Sequence, residues 1–331
     1  MHFLNKSIPT LNKTILTLNK PASKLGNLIV RLNNLTLKLV ILITVLITHA
    51  LYNQAFAKDK LAADGFVIAL MGQYKALGSE LQNNQFKRPL VLKSNESPDS
   101  LKGEIYAVLD YPFAEVNNAI NNPNHWCDAL LLHINVKYCR AVTSNTGTVL
   151  NMNLGKKYDQ LLAETYKAKF NYESITTAAN YFSVEMKAAD GPLGTKDYRI
   201  WVEATPVNNN QTFLHFTYAY SFGLTGRLAM KGYLATIGKD KVGFSIEPNQ
   251  ANGAQNYIQG VRSVVERNTM RYYLAIDAYL AALKESPENQ QEARFEYWFD
   301  STEQFAKQLH EVEKNEYLTM KRKEAERQRV K

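Results

Sequence analysis

The sequence predicts an α+β protein: a curved antiparallel sheet, a long helix near the C-terminal end, and extra helices flanking both. Three observations carry this. Between about residues 103 and 246 most segments alternate apolar and polar residues with a period of two, the mark of half-buried strands. From 254 to 284, Val261, Val264, Val265, Tyr272, Ala275, Ile276, Tyr279 and Leu283 recur three and four apart on one side of a helical wheel of about 100° per residue. Helical spacing also opens and closes the chain, at Phe66, Leu70, Tyr74, Leu77 and Leu81 and at Phe305, Leu309 and Val312.

The first 57 residues contain Lys6, Lys13, Lys20, Lys24, Arg31 and Lys38 and no acidic residue. Next to an apolar run from Leu39 to Leu51 and the small-residue site Ala55-Phe56-Ala57, this reads as a secretory signal. The run is shorter than the roughly 20 residues of a spanning helix, so cleavage rather than anchoring is expected. Six of the eight formal net positive charges lie in this segment. The rest of the chain is left near neutral, without the broad excess of Lys and Arg that nucleic acid requires, so no nucleic acid partner is expected.

Residues 58–102 are read as an N-terminal helix, capped by Asp64, followed by a connecting segment with Pro89 and Pro98 in which only Leu90-Val91-Leu92 is apolar. Gly103 to Asp110 reads as a strand. Phe113, Val116, Ala119 and Ile120 then follow helical spacing, and a second strand is expected from His133 to Arg140. Further strands are expected over 148–154, 165–172, 181–188, 198–205 and 211–222. Asp190 to Gly194 and Pro206 to Asn210 supply turn residues. A short helix over 227–237 and a last strand over 242–246 precede the long helix, which Pro287 ends. On that helix Glu266, Met270 and Asp277 are assigned to the solvent side, while Asn268 falls inside the apolar stripe, where an unpaired amide costs about 1 to 3 kcal/mol. Residues 287–331 form a C-terminal extension in which Asp300 or Ser301 caps a final helix. The stripe of that helix fades after Val312, so removing 301–331 should leave the fold intact. Its end, with six basic and two acidic residues from Lys321 to Lys331, is either a solvated helix end or a peripheral contact with an anionic membrane surface.

An exported chain with two cysteines, Cys127 and Cys139, is expected to join them, which in chain-entropy terms stabilises it by about 3 kcal/mol. His125 and His133 would complete a zinc set with them, but their spacing matches no common structural zinc pattern, and no metal is expected. No nucleophile elbow, zinc helix, P-loop or dinucleotide fingerprint occurs, and His310-Glu311 lacks the second histidine of a zinc helix. The remaining acid–base candidate is His215, on the less apolar face of its strand, with Glu203 or Glu185 as possible neighbours. No catalytic residue is assigned.

The order of elements resembles the START-like helix-grip superfamily, whose curved sheet wraps a long C-terminal helix. The residues that carry the resemblance are Gly103 to Phe113 (GEIYAVLDYPF) leading into a helix that ends at Trp126, together with the helix 254–284. On this reading the START-like domain spans 103–286. The resemblance implies a cavity between sheet and helix for an apolar ligand such as a lipid; the function expected here is to hold a hydrophobic, lipid-like small molecule without transforming it. Phe216, Tyr218, Tyr220, Asn268 and Tyr272 are its expected lining, since the strand that ends at Phe222 turns an aromatic face inward and carries phenol hydroxyls as polar handles. No cofactor is expected. The alternatives are an exported cyclase- or hydrolase-type enzyme on the same fold and a structural module for a protein partner. The mature chain should be periplasmic or secreted and begin at Lys58. N-terminal sequencing of exported protein checks this, and membrane-embedded material that retains Leu39 to Leu51 would establish an anchor instead.

Overall fold

The structure is a computed structural model that describes residues 20–236, 238–247 and 256–330. The start of the basic leader, with Lys6 and Lys13, lies outside the described residues, as does the expected helix start at Ala254. The chain divides between Ala62 and Ala63. Helix α1 is assigned over Lys20–Ala76, and up to Ala62 it is all that the described residues form. Leu39, Ile41, Leu46 and Leu51 are exposed on it. Among the described residues no helix is long and apolar enough to cross a membrane.

From Ala63 onward one antiparallel sheet of eight strands organises the chain. The strands are β1 (Leu90–Ser97), β2 (Ser100–Leu109), β3 (Val136–Ser144), β4 (Gly147–Leu154), β5 (Tyr166–Ala178), β6 (Tyr181–Asp190), β7 (Thr195–Pro206) and β8 (Thr212–Phe222). Their spatial order is β1-β2-β8-β7-β6-β5-β4-β3. Short helices α2 (Gly78–Gln82), α3 (Phe113–Ile120) and α4 (Pro123–Leu132) precede β3, with α3 and α4 carrying the chain from β2 to the far edge of the sheet. Helix α5 (Leu224–Ala235) follows β8. The long helix α6 (Gly260–Ala281) then packs across β1, β2 and β8. Helices α7 (Gln290–Glu303), α8 (Ala306–Leu309) and α9 (Lys314–Val330) close the chain. A curved antiparallel sheet around a long C-terminal helix is the helix-grip arrangement that the element order resembles.

The closest approach of helix and sheet depends on Gly103 in β2, where a Cβ would collide with the side chain of Thr269. Only glycine lets the helix settle at this height. The sheet is covered on both faces. Leu214, Phe216, Tyr218, Tyr220 and Phe222 of β8 belong to the main core, and Phe213 on the other face joins a second core with Leu70, Leu77, Tyr106 and Tyr181. Phe66 stacks on Tyr181 at 5.5 Å and Tyr74 meets Phe213 at 5.2 Å, so the last turns of α1 cover that second face. Cys127 on α4 and Cys139 on β3 are bonded, with their Cα atoms 5.0 Å apart. Among the described residues no His, Cys, Asp and Glu cluster could hold a metal ion. His125 Nδ1 lies 3.1 Å from the Ala119 carbonyl, and His133 stacks on Tyr272 at 4.5 Å.

Four features differ from the sequence expectation. The connector 83–102 contains β1 and the start of β2. Its polar residues disguise it because β1 is an edge strand whose Ser94 faces charged groups of α6, donating to Glu266 at 2.5 Å and accepting from Arg262 at 2.7 Å. Residues 242–246 form no strand beyond a single bridge from Ile246 to Tyr257, because the N–H groups of Phe244 and Ser245 go to the Glu266 carboxylate. The supposed solvent side of α6 is closed, with Glu266 and Met270 fully buried, since α7, α8 and the 238–247 segment pack where water was expected.

The fourth difference is the C-terminal segment. Asp300 and Ser301 lie near the end of α7 rather than at a helix start. Phe295 and Trp298 are buried on α7, Tyr317 on α9 stacks on Trp298 at 4.9 Å, and Tyr317 donates to the Leu132 carbonyl at 2.8 Å. Lys321, Lys137 and Glu324 share one buried cluster, the carboxylate lying 2.7 Å from Lys321 Nζ and 3.1 Å from Lys137 Nζ. Lys323 and Arg327 pair with Asp159 and Arg322 with Glu292, so these three basic groups have acidic partners within the chain. The expectation for truncation is thereby reversed. Deleting 301–331 should strip Trp298 and leave Lys137 buried without its acid, a loss of at least about 3 kcal/mol. Thermal melts of full-length and truncated protein check this, and an unchanged Tm would restore the dispensable reading.

Candidate functional site

A cavity of about 280 Å³ lies between β7, β8, α5 and α6. Tyr198, Tyr218 and Tyr220 line it from the sheet, Met230 from α5, and Val264 and Asn268 from α6. Alternation along β8 brings Tyr218 and Tyr220 to one face, and register places Ile200 of β7 opposite Tyr218. Tyr198 stacks on Tyr220 at 5.2 Å, and Tyr218 lies 5.6 Å from Tyr220. Burial holds the Tyr218 and Tyr220 phenols above the ordinary tyrosine value, which keeps them as neutral hydrogen-bonding groups.

Three of the five expected lining residues, Tyr218, Tyr220 and Asn268, thus meet at the cavity. Phe216 and Tyr272 do not line it. They sit beside it in the packed core, where Tyr272 lies 5.1 Å from Tyr218 and 6.4 Å from Phe216. Most of the space between sheet and helix is filled by such side chains. Asn268 is half-buried and accepts from Arg271 at 3.4 Å, a long contact within the same helix. The polar wall was missed in the sequence: Lys157, Arg267 and Arg271 also line the cavity. Arg267 and Arg271 stand three and seven residues after Val264, so charge at core spacing on α6 was the available signal.

Arg271 is buried and donates to Glu311 Oε1 at 2.6 Å and to the Leu309 carbonyl at 3.3 Å. Lys157 and Lys241 also reach Glu311, at 2.7 and 3.4 Å. Burial pushes the Glu311 carboxyl up, but Arg271 and Lys157 outweigh it and hold the group below the usual carboxylate value. Among the described lining residues there is no histidine, cysteine, aspartate or glutamate. A wider and more polar depression of about 910 Å³ lies near the other end of α6, between Arg88, Asp110, Asp277 and Lys307.

The acid–base candidate His215 lies on the opposite face of β8. Its Nδ1 is 2.8 Å from Glu203 and its Nε2 is 3.2 Å from Glu104, while Tyr106 stacks on the ring at 4.2 Å. Tyr181 donates to Glu203 at 2.6 Å. Glu185 is engaged elsewhere, by Arg199 and Lys187. His215 is thus held in the second core under α1, on the other side of the sheet from the cavity.

Eight antiparallel strands gripping α6, with a tyrosine-lined gap between them, give the chain a helix-grip fold. No protein-family model matches the chain, and no curated protein does so. Among solved structures, a norcoclaurine synthase mutant from Thalictrum flavum overlaps with a TM-score of 0.31 and 12% identity, covering 44% of this chain and 93% of that one. The Zhui aromatase/cyclase of a Streptomyces species gives a TM-score of 0.30 and 11% identity over 42% of this chain and 86% of that one. Ara h 8.0201 gives 0.30 and 9% identity over 55% and 99%. At these values no activity is carried across.

The His215 cluster has a defined pH signature. Burial pulls the imidazole down, but hydrogen bonds to Glu104 and Glu203 more than offset it and leave His215 above its ordinary value of 6.5. Burial likewise raises Glu104, yet His215 and Lys102 bring it down to about 2 from 4.5. The histidine contribution is complete below pH 6.5 and fades as pH rises through the raised value; the Glu104 contribution is complete above 4.5 and fades towards 2. His215→Gln should therefore cost most, about 1 to 3 kcal/mol, between pH 4.5 and 6.5, with the gap closing at alkaline pH. Thermal melts across pH check this, and a pH-independent gap would refute it.

Proposed function

We propose that the protein is an exported carrier or sensor that holds a hydrophobic small molecule in the cavity between the sheet and α6, without transforming it. The observation that carries the reading is the gap of about 280 Å³ left among Tyr198, Tyr218 and Tyr220 at the sheet–helix join. Ligand sites are typically concave and mostly apolar with a few placed polar groups, and the cavity lies just below the usual range of about 300 to 1,000 Å³. A small ligand fits better than a long acyl chain. An acid–base reaction is disfavoured because the titrating cluster at His215 lies across the sheet from the cavity. The reading of export is supported by the basic leader without acidic residues and by the disulfide, which belongs to an oxidising compartment. Cleavage after Ala57 would spare Phe66, Leu70 and Tyr74, the residues of α1 that cover the sheet.

Protein purified from its own host should carry a low-mass apolar adduct visible by gentle native mass spectrometry and removable by organic solvent. Asn268→Leu should weaken retention of that adduct while leaving stability unchanged or slightly higher, since among the described residues the amide makes one long contact, with Arg271. Protein that carries no adduct and takes up no neutral apolar dye would instead favour the structural module.

A further inference from the structure

Arg267 is 1% exposed, yet its hydrogen-bond acceptors among the described residues are neutral: Nη1 donates to the Val242 carbonyl at 3.2 Å and to Ser263 Oγ at 2.9 Å. Among the described residues no carboxylate lies within ion-pair distance of it. Other buried cations of this fold have an acid, Arg271 in Glu311 and both Lys137 and Lys321 in Glu324. A guanidinium does not escape burial by losing its proton, so an unpaired one keeps its charge. A buried charge without a counter-ion is unfavourable, and Arg267 lines the cavity.

The same wall holds an unfilled donor. Arg271 is 2% exposed, and its Nε has no hydrogen-bond partner although its Nη2 is occupied by Glu311 and Leu309. Asn268 and Lys157 line the cavity beside them. Opposite this cationic wall stand the rings of Tyr198, Tyr218 and Tyr220, which would meet an apolar body with flat faces.

We infer that the cavity selects a small aromatic acid: an organic anion whose carboxylate pairs with Arg267 while its ring packs against the tyrosines. The inference rests on the carrier reading above and adds the charge and the ring to it. A planar guanidinium fork matches a carboxylate in two parallel hydrogen bonds, and pairing there would satisfy a charge that the folded chain alone leaves open. The small volume excludes a full-length lipid.

A matched pair of probes, 1-naphthoate and its uncharged carboxamide, tests the inference by titration calorimetry on the full chain, with uptake of neutral Nile red as an independent reading of the cavity. Wild type should bind the acid at least about tenfold more tightly than the amide. Arg267→Gln should remove that preference, and Arg267→Lys should restore part of it. The comparison of acid with amide on wild type needs no variant, so a failure of Arg267→Gln to fold does not block it. Equal affinities, or an Arg267→Gln protein that still prefers the acid, overturns the anion assignment. Nile red uptake without binding of either naphthalene probe overturns it as well and leaves the carrier reading standing, whereas absence of any uptake brings down both.

Discussion

The burial of α6 over most of its surface is the constraint to which much of the structure answers. An amphipathic helix on a sheet normally keeps one face in water, but α6 lies between the strands and the C-terminal helices. Each polar side chain on its outward faces then has to be met by another part of the chain. Glu266 collects the N–H groups of Phe244 and Ser245 and the hydroxyls of Ser94 and Ser245, which fixes the 238–247 segment and ties it to the edge strand. Arg271 draws in Glu311 and the Leu309 carbonyl, which fixes the link between α8 and α9. Asp277 takes Arg88 at 2.9 Å, which anchors the turn before β1. Loops that look irregular in isolation are thereby held by ion pairs and hydrogen bonds to one helix.

The sheet separates two kinds of chemistry. Below it, on the α6 side, phenols and guanidinium groups surround a small gap. Above it, His215, Glu104, Glu203 and Tyr181 hydrogen-bond to one another under α1, and Lys102 pairs with Glu104 at the edge of the group. A histidine between two carboxylates is easily mistaken for catalytic apparatus. Here its surroundings give it a structural part: it lets β2, β7 and β8 bury polar side chains beneath a helix.

Period-two alternation made most of the sheet legible, because β4 to β8 each show a clear inner face, and the stripe from Val261 to Leu283 made α6 legible. What escaped was what depends on distant partners. The strand β1 is polar because charged groups of α6 await it, and nothing near Ser94 in the sequence announces Glu266 or Arg262. The burial of α9 escaped for a similar reason. Lys321 reads as solvated until Glu324 and the carbonyls of His133 and Val136, at 2.9 and 3.0 Å, are brought to it by the fold. At the cavity, the tyrosines of β8 and Asn268 were readable from their faces, whereas Arg267 was overlooked because a charged residue at core spacing is assumed to snorkel. Phe216 and Tyr272 were assigned to the right layer but to the wrong depth, since alternation gives a direction and no distance from the void.

The contact at Gly103 has a further consequence. Its register partner on β8 is Tyr218, so the place where helix and sheet touch and the place where they part are neighbouring positions on adjacent strands. The missing side chain acts as a fulcrum. The height of Thr269 above β2 sets that of Asn268 beside it, and with it the depth of the gap over Tyr218. A lineage could therefore retune the size of its guest through one backbone position that never touches it, adding a methyl group at 103 to lift the helix and deepen the void while every lining residue stays the same.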